Sequence, residues 1–317
     1  MRRLPVLRDR DVDVEAELAA LLARVMTTDY RLRWDPSCLF CERARSQHEA
    51  VDVGGGELVV PACQQIHGRG FFVEGPRHEG PRPGHITRQR AMEMHPKIAA
   101  AIIGGDLGEP SKMPGPSYGI DAFRCGVGSV LAELPGTTCW HCYARKNFYV
   151  MPAVRTAHHK RERAIYHPLF PVAMTCLILE HVRAGGERVF RFHDSGDLRS
   201  VNHLEDLVTV GLALPEVDFW LPTREYGIVA QYLREGWTWP DNFCVRLSAW
   251  MNDGKPLIPA ELAHLPTSTV HREHGKPIAV GRRRDSVECR AYKRGFYCAS
   301  CRACWRNNVK NVSYPIH

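Results

Sequence analysis

Long apolar runs are missing from this chain. No stretch approaches the roughly 20 consecutive apolar residues that a membrane-spanning helix needs, which excludes the integral membrane class. A secretory leader is missing too, because Met1-Arg2-Arg3-Leu4-Pro5 runs into Asp and Arg rather than into an apolar segment. Internal repeats and low-complexity tracts are also absent. Hydrophobic content of 44% with 24% charged residues excludes the disordered and fibrous classes. A cytoplasmic protein is expected, and there the twelve cysteines are poor disulfide candidates, since the compartment keeps thiols reduced. Clustered spacing then points to metal or redox use.

At 317 residues the chain exceeds the roughly 250–300 residues at which single cores stop growing, so a large and a small unit are expected. Residues 1–84 form the small N-terminal unit, ending at the Pro- and Gly-rich segment Gly75 to Gly84. Residues 85–110 read as a linker with a basic helix, 111–285 as the main α/β unit and 286–317 as a Cys-rich tail. Asp11 to Met26 carries Val14, Leu18, Leu21, Leu22 and Val25 at helical spacing and is expected to cap the small unit. From about residue 110, short β-like runs alternate with helical stretches, which argues for a parallel sheet. Arg188 to Phe192, Val217 to Leu221 and Phe243 to Leu247 are the clearest strands, with weaker ones at Thr267 to His271 and Ile278 to Val280. Ala153 to Ala184 and Asn202 to Leu214 supply helices, the first broken by Pro168 and Pro171. Six or so strands are too few for an eight-stranded barrel, so a partial TIM-type barrel is expected.

Three cysteine groups carry the chemistry. Cys289, Cys298, Cys301 and Cys304, with His317 as a fifth ligand or cap, suit zinc or an iron–sulfur cluster, because soft sulfur ligands hold either. Cys125, Cys139 and Cys142 number three, which leaves one metal position open for substrate or cofactor. A zinc site completed by His141 or His158 is the alternative. Cys38, Cys41, Cys63 and His67 have the ligand types of a structural zinc knuckle, with His48 as a competing ligand. Cys176 and Cys244, in an apolar helical run and a strand, read as core residues.

Parallel α/β sheets carry reactive groups where strands end and loops begin. His193-Asp194-Ser195-Gly196-Asp197 ends a β run, so Asp194 and Asp197 are candidate catalytic or cofactor-orienting acids, and Ser195 and Gly196 candidate cofactor contacts. A tight turn capping the next helix is the simpler reading of the same string. Asp218, Arg224 and Glu225 bracket Pro222-Thr223, either as a buried ion pair or as anchors for an anionic substrate, and Arg246 on the next strand is placed to join them. The net charge of +7, gathered in runs at Arg88 to Lys97, Arg155 to Arg163, Arg282 to Arg284 and Lys293 to Arg306, favours a polyanionic partner, with a solvated face the alternative for each run taken singly.

From about Lys112 to His317 the chain resembles the phage gene-product-eighty-eight family. The resemblance rests on Cys142-Tyr143-Ala144, the string at 193–197, Leu-Pro-Thr-Arg-Glu at 221–225, Val-Arg-Leu-Ser-Ala at 245–249 and Cys-Arg-Ala-Cys-Trp at 301–305. It implies a phage-type protein acting in the host cytoplasm. The order of parts also resembles a radical-SAM partial barrel. That likeness implies an iron–sulfur cluster on the cysteine loop after the first strand and S-adenosylmethionine anchored by Ser195-Gly196-Asp197, although Pro135 stands where the first cysteine of the usual Cys-x3-Cys-x2-Cys belongs. Asp194-Ser195-Gly196, Asp218 with Pro222-Thr223-Arg224, and Cys298, Cys301 and Cys304 with His317 are similar to the guanine transglycosylases acting on tRNA or DNA. This second likeness implies Asp218 as nucleophile, Asp194 as base or base-recognition group, and a structural zinc. The leading expectation is a metal-dependent enzyme that modifies a nucleic acid or nucleotide. Base exchange and a non-catalytic zinc protein that binds DNA or tRNA are its rivals.

Overall fold

The computed structural model describes residues 13–31, 51–52, 58–59, 80–282 and 285–316. Helix α1 (Val14–Thr27) begins where Asp13 accepts a hydrogen bond from Ala16 N (3.1 Å), an acid at the positive helix end. Strands β1 (Val51–Asp52) and β2 (Leu58–Val59) form a separate antiparallel pair. Helices α2 (Gly84–Glu93) and α3 (Pro96–Ile103) lead to strand β3 (Ser117–Tyr118), followed by the short helix α4 (Gly126–Leu131). The helical stretch expected over 153–184 is divided into α5 (Pro152–Ala164) and α6 (Phe170–Arg183), with Pro171 in the first turn of α6, where its missing N–H leaves no bond unmade.

Strand and helix then alternate through β4 (Val189–Phe192), α7 (Val201–Ala213), β5 (Asp218–Thr223), α8 (Tyr226–Arg234) and β6 (Phe243–Asn252). Strands β7 (Thr267–His271), β8 (Ser286–Glu288) and β9 (Asn311–Pro315) complete a seven-stranded sheet. Its order is β3-β4-β5-β6-β7-β9-β8, and every pairing is parallel. The chain is a mixed α/β protein whose parallel sheet does not close on itself. The weak strand expected at Ile278 to Val280 does not form. There Ile278 N donates to Ser313 Oγ (3.0 Å) and Val280 N to Ser286 Oγ (2.9 Å), so side chains replace a ladder.

The period-two alternation of the strands sorts them onto two faces. Phe190, Phe192, Phe219, Leu221, Phe243 and Val245 join the main core with residues of α6, α7 and α8. Phe192, Phe219 and Phe243 stack across three strands, with centroids 5.7 and 5.8 Å apart. Leu18, Leu21 and Val25 of α1 belong to this same core. Tyr30 N donates to Gln231 Oε1 on α8, and Arg31 pairs with Glu205 on α7 (2.7 Å). The expectation that α1 caps a small separate unit is thus corrected: its apolar stripe is buried on the helices of the sheet.

The second face carries Val189, Trp220 and Trp305, packed with Met113, Cys304 and Tyr314. Segment 303–309 is tied over it by Arg246, which is completely buried. The Arg246 guanidinium donates to the carbonyls of Thr267 (2.9 Å), Val309 (3.0 Å), Ala303 (3.2 Å), Arg306 (3.0 Å) and Cys304 (3.3 Å). Arg246 therefore serves the fold and does not join Asp218 and Arg224 at an anion site.

Candidate functional site

Parallel strands bring their C-terminal ends to one edge, where loops present side chains. Three loops meet there, following β3, β4 and β5. Ile120 N donates to Ser195 O (2.8 Å) and Ser195 Oγ donates back to Ile120 O (3.0 Å), which fixes the second loop on the first. Gly196 (φ 84°) follows in the left-handed region, with Ile120 so close that a Cβ would lie 2.4 Å from its Cγ1. Ser195 and Gly196, expected as cofactor contacts, are occupied in joining loops. Asp197 is likewise a clasp: its carboxylate accepts from Leu198 N (2.8 Å), Thr223 Oγ1 (2.6 Å) and Arg224 N (2.9 Å), locking the β4 loop to the end of β5.

Glu225 performs the same service for the cysteine loop, accepting from Val127 N (2.8 Å) at the start of α4. Burial, together with the nearby Asp197 charge, raises its pKa well above the usual carboxylate range. Arg199 donates to both oxygens of buried Glu162 (2.6 and 2.9 Å), to Asp121 O (2.7 Å) and to Asp197 O (3.1 Å). Arg224 Nε donates to Thr138 Oγ1 (2.9 Å).

Within this frame Cys125 and Cys139 come together. A Cβ at Gly128 would lie 3.6 Å from both sulfurs and crowd Cys125 Cβ at 2.9 Å, so both thiols lie against this glycine. Residues 126–138 leave as α4 and a turn and return Cys139 beside Cys125, which accounts for the thirteen-residue spacing. Cys142 N donates to Cys139 O (3.0 Å), one tight turn further on. Burial first, then neighbouring acids, raises the Cys125 pKa, while the Arg199 charge pulls it down. Cys139 is raised by burial and lowered by Arg224. Two cations thus stand beside buried sulfurs.

Asp194 differs from its neighbours. Its Oδ1 is buried and has no hydrogen-bond partner among the described residues, while Oδ2 accepts from the Tyr149 hydroxyl at 3.5 Å. Gly119 makes room for it, since a Cβ there would fall 2.5 Å from Oδ1. The Tyr143 hydroxyl donates to the Asp194 carbonyl and accepts from Arg191 Nη2 (3.4 Å). Arg191 lies over Trp220 (4.6 Å), and its Nε also has no hydrogen-bond partner among the described residues.

Asp218 corrects an expectation. It is the exposed first residue of β5, at the opposite end of the strand from Thr223. Five residues at roughly 3.3 Å each put about 17 Å between those ends. The nucleophile and base of the transglycosylase likeness therefore do not share a site.

The four C-terminal cysteines lie near enough to perturb one another. Cys289 N donates to Ser313 O (2.8 Å), Cys298 N to Lys112 O (3.2 Å) and Cys301 N to Cys298 O (3.0 Å). Burial, then the proximity of Cys289 and Cys301, raises the Cys298 pKa. Cys304 Sγ lies 3.0 Å from the Tyr314 hydroxyl, and its pKa is raised by burial and also by the proximity of Cys289 and Cys298. Among the described residues no three His, Cys, Asp or Glu side chains are arranged as a metal-holding group. Cys38, Cys41, Cys63, His67 and His317 lie outside the described residues, as do Arg283 and Arg284. Cys176 and Cys244 are buried, as core residues should be. Sequence reasoning missed Arg191, Arg199 and Glu162; the signals for them were a cation inside a β run and a single acid inside the basic run 155–163.

His193 has a measurable consequence. It is 2% exposed, and neither ring nitrogen has a hydrogen-bond partner among the described residues. Burial, aided by the charges of Arg199 and Arg191, lowers its pKa to about 3. The unfolded chain, with a pKa near the usual ~6.5, takes up this proton first as pH falls. Stability from His193 is therefore complete above about pH 6.5 and is lost toward pH 3, at up to about 1.4 kcal/mol per pH unit. His193→Leu is expected to flatten the fall in Tm between pH 7 and pH 5; an unchanged slope would place the titrating group elsewhere.

The sequence profile of a family described as Gene product 88 matches residues 124–307. No curated protein and no solved structure matches the chain. The matched span takes in Cys125, Cys139 and Cys142, the loops after β4 and β5, and Cys289 to Cys304. Covering more than half of the 317 residues, it shows that the chain belongs to the Gene product 88 family.

Proposed function

We propose that this protein is a metal-dependent, radical-SAM-like enzyme that modifies a nucleic acid or nucleotide on a partial-barrel sheet. In this reading Cys125, Cys139 and Cys142 hold an iron–sulfur cluster and S-adenosylmethionine is the co-substrate. The observation that carries it is the approach of Cys125 and Cys139 across Gly128, on the loop after the first strand of the sheet and beside the loops of the next two strands. The donor set fits such a group. Buried thiols are neutral by themselves but become thiolates on a metal, and Arg199 and Arg224 stand where cluster charge needs balancing. A bound cluster supplies one-electron chemistry toward S-adenosylmethionine.

The protein's own residues then divide the work. Asp194, with an unengaged oxygen, is the carboxylate that binds the ammonium of the co-substrate or a donor group of the substrate. Arg191 offers the matching cation for an acceptor group. Asp197 and Glu225 position the loops and touch no ligand. Cys289, Cys298 and Cys301, joined by Cys304, suit a second, structural metal, zinc by donor type. The small N-terminal unit with Cys38, Cys41, Cys63 and His67 takes the same role in this reading. Anaerobically reconstituted and reduced protein is expected to release methionine from S-adenosylmethionine. If a cluster-loaded sample released none, the radical reading would fail.

A further inference from the structure

The rim of this site is unusual in charge and in exposed ring surface. Between Glu133 and Glu162 the sequence has no acid and five cations, and Glu162 itself is committed to Arg199. On the same stretch Phe148 is 74% exposed, Tyr143 53% and Trp140 40%. Lys146 stands between Tyr143 and Phe148, and the guanidinium groups of Arg145 and Arg155 lie over the Phe123 ring at 5.1 and 4.7 Å. The second acid-free stretch, residues 289–316, carries six cations and the exposed rings of Phe296 and Tyr297.

Arg191 links the two. Its Nη2 donates to the Tyr143 hydroxyl on one side, and on the other its Nη1 lies 3.6 Å from Met113 Sδ, next to Lys112, which holds Cys298 N and stacks over Phe296. Rings left in water cost free energy. Cations interleaved with them make a poor surface for an apolar partner but suit a chain of phosphates carrying flat bases.

We infer that Tyr143, Lys146 and Phe148, with Phe296 and Tyr297 across Arg191, form a docking surface for single-stranded nucleic acid. Phosphates meet the cations and unpaired bases stack on the exposed rings. A duplex keeps its bases stacked within itself and offers these rings nothing. The inference rests on the reading of the substrate as a nucleic acid and narrows it to an unpaired strand.

The test is fluorescence anisotropy of the full chain with a labelled mixed-sequence single strand, as DNA and as RNA, against the matching duplex. Phe148→Ala, Phe148→Trp and Lys146→Gln are compared over a range of salt. Phe148 is too exposed to support the fold. The single strand is expected to bind at least about tenfold more tightly than the duplex. Phe148→Ala is expected to weaken it about tenfold, in keeping with ~1–3 kcal/mol per stacked base, with Phe148→Trp restoring it. Lys146→Gln is expected to lower the salt slope by about one. Equal or tighter duplex binding, or affinity unchanged in Phe148→Ala, would overturn this surface while leaving the nucleic-acid reading in place. Failure to bind any of the strands would overturn both, and methionine release by the same sample reports separately on the cluster chemistry.

Discussion

Arg246→Met is expected to cost the fold about 4 kcal/mol, a large part of the ~5–15 kcal/mol by which domains are stable. The side chain is completely buried and its guanidinium holds five backbone carbonyls from β7 and segment 303–309. Removing it relieves a desolvated charge but takes a donor from five carbonyls, of which Ala303 O and Arg306 O keep the backbone N–H of Arg306 and Val309; each acceptor left unpaired costs roughly 1–3 kcal/mol before relaxation. Lysine retains the charge but not the fork, so Arg246→Lys should recover only part of the loss. Urea unfolding midpoints measure both. A methionine variant within about 1 kcal/mol of the parent would mean that the carbonyls find other partners.

Asp194→Asn is expected to lower methionine release from S-adenosylmethionine by about a hundredfold while leaving the urea midpoint unchanged, the signature of a group that binds in function and not in the fold. The basis is the oxygen with no partner among the described residues. Asp197→Asn should behave in the opposite sense. Its carboxylate accepts from three donors, and an amide there would turn an N–H₂ group toward a hydroxyl and backbone N–H groups. That variant is expected to lose about 2 kcal/mol of stability. If Asp194→Asn instead unfolded and Asp197→Asn remained stable, the two roles would be reversed.

Much of this fold is legible in the sequence, because strong strands announce themselves. Phe190, Phe192, Phe219 and Phe243 stand at period-two positions in runs short enough to be buried on both faces. Pro168 and Pro171 mark the break between α5 and α6: Pro168 lies in the gap, and Pro171 sits in the first turn of α6, where a helix tolerates it. What escapes is long-range pairing. Strand β9 ends in Pro315 and reads as a tail, yet it inserts between β7 and β8, a register no local pattern encodes. Ile278 to Val280 has strand composition but gives its N–H groups to two serine hydroxyls, Ser286 six residues on and Ser313 thirty-five.

The site is legible in location and less so in roles. The rule that parallel sheets present side chains at their C-terminal edge points to the loops after β4 and β5, which meet there through Asp197, Thr223 and Arg224. Which acid is engaged and which is free depends on donors from another strand's end, Thr223 Oγ1 and Arg224 N for Asp197, so Asp194 and Asp197 look alike in sequence and differ in structure. Asp218 misleads because its distance from Pro222 suggests a shared site, whereas an extended strand carries the two toward opposite ends. The pairing of Cys125 with Cys139 is hidden by thirteen intervening residues and disclosed only by the path of α4.

Iron and acid-labile sulfide measured on anaerobically prepared protein, side by side with Cys125→Ala, Cys139→Ala and Cys142→Ala, is the most direct examination of the claim that these thiols form a cluster site. Iron and sulfide in comparable amounts, lost in all three variants, is the predicted result. Parent protein that takes up zinc alone, or iron content indifferent to the three cysteines, would contradict it.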